Sequence, residues 1–131
     1  MVIRELSALS FRNFKELRVS FSDRINVLIG QNGHGKTNVV EAIYFLNHLD
    51  SFRTHHLGEL VSQGQSLGYV QGILNTGESD KKVRVEISRR GRKVTVDETP
   101  VPKLSAYVAD YFALVFNPDH LYLFRHVPAE R

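Results

Sequence analysis

The chain has no cysteine and no tryptophan, and only one methionine and four prolines in 131 residues. Without thiols there is no disulfide framework and no thiolate metal site. The six histidines form no H-E-x-x-H pattern and have no cysteine partners, which argues against zinc. Apolar runs are short: residues 25–29, Ile-Asn-Val-Leu-Ile, are far from the ~20 apolar residues that a membrane span needs. The opening Met1-Val2-Ile3-Arg4-Glu5 lacks the basic-then-apolar layout of a secretion signal. Repeats, low-complexity tracts and Gly/Ser linkers are also missing. These absences lead us to expect a cytoplasmic protein that does not contact a membrane.

What is present suits a folded domain. Hydrophobic residues make up 42% and charged residues 24%, the balance of a soluble globular chain long enough to bury a core. Seventeen basic and fourteen acidic residues give +3, which permits contact with nucleic acid without requiring it. The basic residues concentrate at Lys81, Lys82, Arg84 and Arg89-Arg90-Gly91-Arg92-Lys93. One reading is a solvated hairpin whose charges deter sheet-to-sheet pairing. The other is an electrostatic footprint for DNA phosphates, with Arg89, Arg90, Arg92 and Lys93 as candidates.

The apolar pattern changes period along the chain. Residues 3–11 read as an irregular strand, and Leu17, Val19 and Phe21 alternate with polar neighbours as a half-buried one. The nearly all-apolar run at 25–29 predicts a strand covered on both faces. From Lys36 the period becomes helical, with Val39, Ala42, Ile43 and Leu46 on one stripe, and the helix is expected to stop before Asp50-Ser51. Residues 57–61 predict a short helical turn. Three alternating runs, 67–74, 83–88 and 94–97, predict an antiparallel meander with one wet face. A helix over residues 103–111 and a buried strand over 113–116 follow, and Asn117-Pro118-Asp119 ends the strand.

Gly30-Gln31-Asn32-Gly33-His34-Gly35-Lys36-Thr37 matches the phosphate-loop pattern G-x-x-x-x-G-K-[ST] at every fixed position. Gly30, Gly33 and Gly35 are expected to let the backbone turn so that N–H groups point at phosphate oxygens. The helix that follows would add its positive end to the site. Lys36 is expected to reach the β- and γ-phosphates, and the Thr37 hydroxyl to ligate Mg²⁺. His34 occupies a free position and reads as solvent-facing, and Glu41 as a structural or surface residue. The apolar run before the loop and the amphipathic stripe after it lie where the chemistry needs a strand and a helix. An α/β fold of the P-loop NTPase class follows.

Phe11-Arg12-Asn13-Phe14, the run from Asn26 through Gly33, and Gly35-Lys36-Thr37-Asn38 resemble the amino-terminal half of SMC-like ABC ATPases. Within that group the chain is most similar to the RecF family of bacterial recombinational DNA repair. That similarity is carried by Glu41-Ala42-Ile43-Tyr44-Phe45-Leu46, Ser51-Phe52-Arg53-Thr54, residues 115–121 and Pro128-Ala129-Glu130-Arg131.

The resemblance implies an ABC-type ATPase lobe I with an antiparallel β subdomain, residues 1–131 being an incomplete amino-terminal part of the head. It implies ATP and Mg²⁺ as cofactors, Arg12 and Asn13 near the nucleotide, and Asn32, Gly33, His34, Gly35, Lys36, Thr37 and Asn38 around its phosphates. It further implies an ATP-dependent homodimer that binds duplex DNA and single-strand/duplex junctions, association with the nucleoid, and the mediator proteins RecR and RecO as partners. Asn117-Pro118-Asp119 falls where the family has its Q-loop, but no glutamine is there. No apolar run ends in Asp-Glu, and no Leu-Ser-Gly-Gly signature occurs. These residues alone are therefore expected to bind Mg-ATP weakly and not to hydrolyse it. Another SMC-like ATPase of chromosome maintenance fits the same motifs. A phosphate-loop kinase of small molecules fits less well, because an antiparallel meander interrupts its parallel sheet.

Overall fold

The computed structural model describes residues 1–111 and 113–116. Six strands form one antiparallel sheet in the order β2-β1-β3-β4-β5-β6. They are β1 (Val2–Phe11), β2 (Phe14–Ser20), β3 (Leu67–Asn75), β4 (Asp80–Ser88), β5 (Gly91–Val96) and β6 (Thr99–Pro100). The meander thus does not stand apart from the amino-terminal strands, because β1 pairs directly with β3 from Val2↔Asn75 to Leu9↔Tyr69. A register shift between Ile3 and Glu5 is the irregularity in that ladder.

Alternation fixes which face is buried. Leu6 and Ala8 of β1, Val70 and Leu74 of β3, Val83, Val85 and Ile87 of β4, and Val94 of β5 all point to one side and are buried. Helix α1 (Lys36–His48) lays Val39, Ala42, Phe45 and Leu46 on that side. Leu46 packs where β3 has no side chain: a Cβ on Gly72 would overlap Leu46 Cδ2. A 3₁₀ turn (Leu57–Leu60) and helix α2 (Leu104–Asp110) are the remaining elements among the described residues. The Tyr107 hydroxyl donates to the carbonyl of Leu46, tying α2 to α1.

Two expectations fail here. Residues 25–29 form no strand, and Ile25, Val27 and Ile29 are 84%, 74% and 91% exposed. Residues 113–116 likewise form no strand, with Leu114 and Phe116 more than 80% exposed. A strand covered on both faces exists only with hydrogen-bonded neighbours at its sides, and none of the described strands pairs with either run. Side-chain bonds brace the start of the first run instead: Asn26 Nδ2 donates to the Ser22 carbonyl at 3.0 Å, and the Ser22 N–H donates to Asn26 Oδ1 at 2.8 Å. The Asn117-Pro118-Asp119 turn and everything after it lie outside the described residues.

Candidate functional site

The loop before α1 turns on glycines at two of the three expected places. Gly33 has φ 84° and Gly35, the N-cap of α1, has φ 92°, both in the left-handed region that glycine tolerates best. Gly30 has no positive φ, so the expectation that all three glycines supply special backbone geometry holds for two. At Gly35 space is limiting as well, since a Cβ would stand 2.7 Å from Cζ of Phe14. No side chain caps α1, and the first turn of any helix has N–H groups without intrahelical acceptors.

Those groups border a hollow of about 310 Å³. Its walls are Asn32, Gly33, Gly35, Lys36, Thr37 and Asn38 of the loop and helix start, together with Asn13 and Arg53. The Lys36 ammonium donates to the carbonyls of Gly30 (2.6 Å) and Gln31 (2.8 Å). An ammonium has three N–H donors, so one remains for an anion. His34, within the loop, is exposed and does not line the hollow. Among the described residues no group of three or more His, Cys, Asp or Glu side chains could hold a metal.

Arg12 takes a different place from the walls. Its guanidinium grips Glu41 in α1 with two bonds, Nε to Oε2 at 2.8 Å and Nη2 to Oε1 at 2.5 Å. Glu41 is fully buried and also accepts from Ser51 Oγ (2.5 Å) and Arg53 Nη1 (3.0 Å). Burial alone would raise its pKa. The hydrogen bonds from Arg12 and Ser51, with the charges of Arg12 and Arg53, outweigh that and hold the carboxyl below its ordinary range. Arg53 Nη1 also donates to Asn38 Oδ1 (2.7 Å), and Asn38 Nδ2 to Asn13 Oδ1 (2.6 Å). A continuous polar chain therefore runs from the buried carboxylate to the wall of the hollow.

The resemblance implies Arg12, Asn13 and residues 32–38 near the nucleotide. Of these the hollow is lined by Asn13 and by 32–38 other than His34, while Arg12 bonds to Glu41 instead. Arg53, to which the sequence assigns no role, joins the walls. The contact spans a loop twelve residues past Glu41, a separation that no helical or strand period signals. For Glu41 a signal existed: it lies four residues before Phe45, one helical turn from a residue of the apolar stripe.

The basic residues divide in the structure. Lys81 pairs with Asp97 (3.2 Å), Lys82 with Glu98 (3.4 Å) and Arg84 with Glu86 (3.3 Å). Arg89, Arg90, Arg92 and Lys93 make no ion pair among the described residues. Arg89 and Arg90 form the tip between β4 and β5, where Ser88 opposes Gly91. They border hollows shared with His55, His56 and Glu59 on one side and with Gly64, Gln65 and Ser66 on the other. Arg92 and Lys93, adjacent on β5, project to opposite faces of the sheet.

Comparison with known proteins decides among the families that carry such a loop. The model described as "RecF/RecN/SMC N terminal domain" matches residues 2–113. The chain belongs to this RecF/RecN/SMC family. Curated RecF proteins are among its relatives. The DNA replication and repair protein RecF of Bacillus cytotoxicus is 36% identical over 131 residues, covering all of this chain and 35% of the relative. That of Limosilactobacillus fermentum is 38% identical over the same spans. The chain thus spans about a third of the length of the RecF relatives it matches. A solved structure of the recombination mediator protein RecF with ATP superposes with a TM-score of 0.87 at 25% identity, over 98% of this chain and 35% of that one. The SMC head domain from Thermotoga maritima shares the fold, with a TM-score of 0.65 at 23% identity over 81% of this chain and 40% of that one. The RecF/RecN/SMC fold accounts for the combination seen here, a phosphate loop and helix beside an antiparallel sheet, as in one lobe of an ABC ATPase.

Proposed function

We propose that the chain is the amino-terminal, ATP-binding part of a RecF-like DNA replication and repair protein. The observation that carries this reading is the hollow at the start of α1, where Lys36, Thr37, Asn38 and the glycine-turned backbone converge. A polyphosphate there would meet the helix's positive end, the remaining Lys36 donor and Arg53. Mg²⁺ fits the same place: it is held by one or two protein oxygens together with phosphate oxygens and water, and Thr37 supplies such an oxygen at the wall. Bound there, the ion would neutralise charge on the phosphates. The RecF structure solved with ATP supports the nucleotide's identity for a related protein.

Hydrolysis requires groups that this sequence does not supply, namely an acidic strand end and a signature motif. In the proposed reading a longer chain and a second, ATP-bridged copy provide them. The closed homodimer would hold duplex or gapped DNA, with Arg89 and Arg90 at the β4–β5 tip facing the backbone and either Arg92 or Lys93, which lie on opposite faces of the sheet, beside them, and would act with RecR and RecO in loading recombinase. Salt-sensitive contact without base reading is what exposed, unpaired arginines offer.

The test is titration of a fluorescent ATP analogue with Mg²⁺ into the protein and its Lys36→Ala variant. A lost charge-assisted contact of about 1.5–3 kcal/mol predicts roughly ten- to a hundredfold weaker binding. Equal affinity of the two proteins would remove the phosphate-site assignment.

A further inference from the structure

We propose that Glu41 is a positioning residue for the nucleotide site: buried beneath it, the carboxylate sets the orientation of Arg53 at the wall of the phosphate hollow. The inference rests on the nucleotide-binding reading above and names a residue that does not line the hollow.

Glu41 is fully buried, and its two oxygens accept four bonds, from Arg12 Nε and Nη2, Ser51 Oγ and Arg53 Nη1. That exhausts the usual acceptor capacity of a carboxylate. Stability alone does not explain the arrangement, because a buried ion pair often adds no more than packed apolar groups of the same volume. What distinguishes this one is where its far end lies. The Arg53 side chain is 43% exposed, and among the described residues it bonds through Nη1 alone, to Glu41 and Asn38. Its Nε and Nη2 donors remain for a ligand in the hollow. Ser51 extends the hold to the backbone, since its Oγ donates to Glu41 and accepts from the N–H groups of Arg53 (3.0 Å) and Thr54 (3.2 Å).

An arginine side chain surrenders substantial rotamer freedom when it is fixed. Here that freedom is already surrendered to a residue that never meets the ligand, so a phosphate group meets a guanidinium set in place. Arg12 holds the carboxylate through both of its oxygens and favours its charged form.

A double-mutant cycle in the intact protein separates positioning from general support of the fold. Mg-ATP and Mg-ADP affinities are measured for wild type, Glu41→Gln, Arg53→Met and the double variant, with urea unfolding recorded for each. The expected result is about tenfold weaker Mg-ATP binding in either single variant, and no further loss when Glu41→Gln is added to Arg53→Met. Should Glu41→Gln not fold, Glu41→Asp keeps the charge but withdraws the carboxylate by one methylene, and it enters the same cycle. Losses that multiply, or unchanged affinity in a folded Glu41 variant, overturn the proposal. If the wild type binds nucleotide in a Lys36-dependent way while Glu41→Gln binds equally well, only the positioning role fails. If wild type and Lys36→Ala both fail to bind, the nucleotide reading itself fails.

Discussion

Phe14 of β2 stands against Gly35 so closely that a Cβ on the glycine would lie 2.7 Å from the ring. The N-terminal end of α1 is therefore seated on the amino-terminal hairpin, and its geometry depends on two requirements at one residue: the space Phe14 leaves and a φ of 92°. Gly35→Ala violates both. The backbone term alone is about 1–2 kcal/mol, and the clash must also displace the ring or the loop. The expected outcome is loss of Mg-ATP binding together with a lower unfolding midpoint in urea. Adding Phe14→Ala makes room but leaves the strained φ, so stability should return only in part. Full recovery in the double variant would show that the left-handed conformation is not needed.

The Glu41 cluster gives a pH dependence with a definite sign. Its carboxyl titrates below the ordinary value of 4.5 when folded, despite burial, because Arg12, Ser51 and Arg53 favour the charged form. Unfolding then binds a proton at low pH. The stabilisation is complete above about pH 4.5 and is lost as the pH falls towards the depressed folded value. Thermal midpoints from pH 7 down to 3 should decline below that point in wild type, and decline less in Glu41→Gln. Parallel curves for the two proteins would assign the acid sensitivity to other carboxylates.

Duplex DNA affinity should depend on Arg89 and Arg90 far more than on Lys81 and Lys82. The lysines face Asp97 and Glu98 within 3.4 Å, whereas the arginines have no acidic partner among the described residues. Each phosphate neutralised contributes about 0.9 to the slope of log affinity against log salt. Arg89→Gln with Arg90→Gln should therefore reduce that slope by up to about 2 in the intact protein, while Lys81→Gln with Lys82→Gln leaves it nearly unchanged. The reverse ranking, read by fluorescence anisotropy between 50 and 200 mM salt, would move the contact to another surface.

Local chemistry was legible in the sequence wherever it is set by nearest neighbours. The Val83-Val85-Ile87 alternation gave β4 its buried face, because side chains of a strand alternate whatever lies beyond. The change of period at Lys36 located α1 to within a residue of its observed end. The run at residues 25–29 misled for a reason of the opposite kind. Its composition describes a strand already flanked by others, and no described strand lies beside it. Arg92 and Lys93 read as one basic cluster, yet adjacency in a strand sends neighbours to opposite faces.

By itself the sequence determined the phosphate loop, the helix that follows it and the family to which they belong, since each depends on residue types at fixed short spacings. Only the tertiary structure decided that Arg12 faces Glu41, that Arg53 lines the hollow, and that β1 joins the meander in one sheet. Those relations link residues 12, 41 and 53, or β1 and β3, across loops whose paths are set by burial of the whole apolar face. Such a minimum belongs to the packed molecule, and no local pattern encodes it.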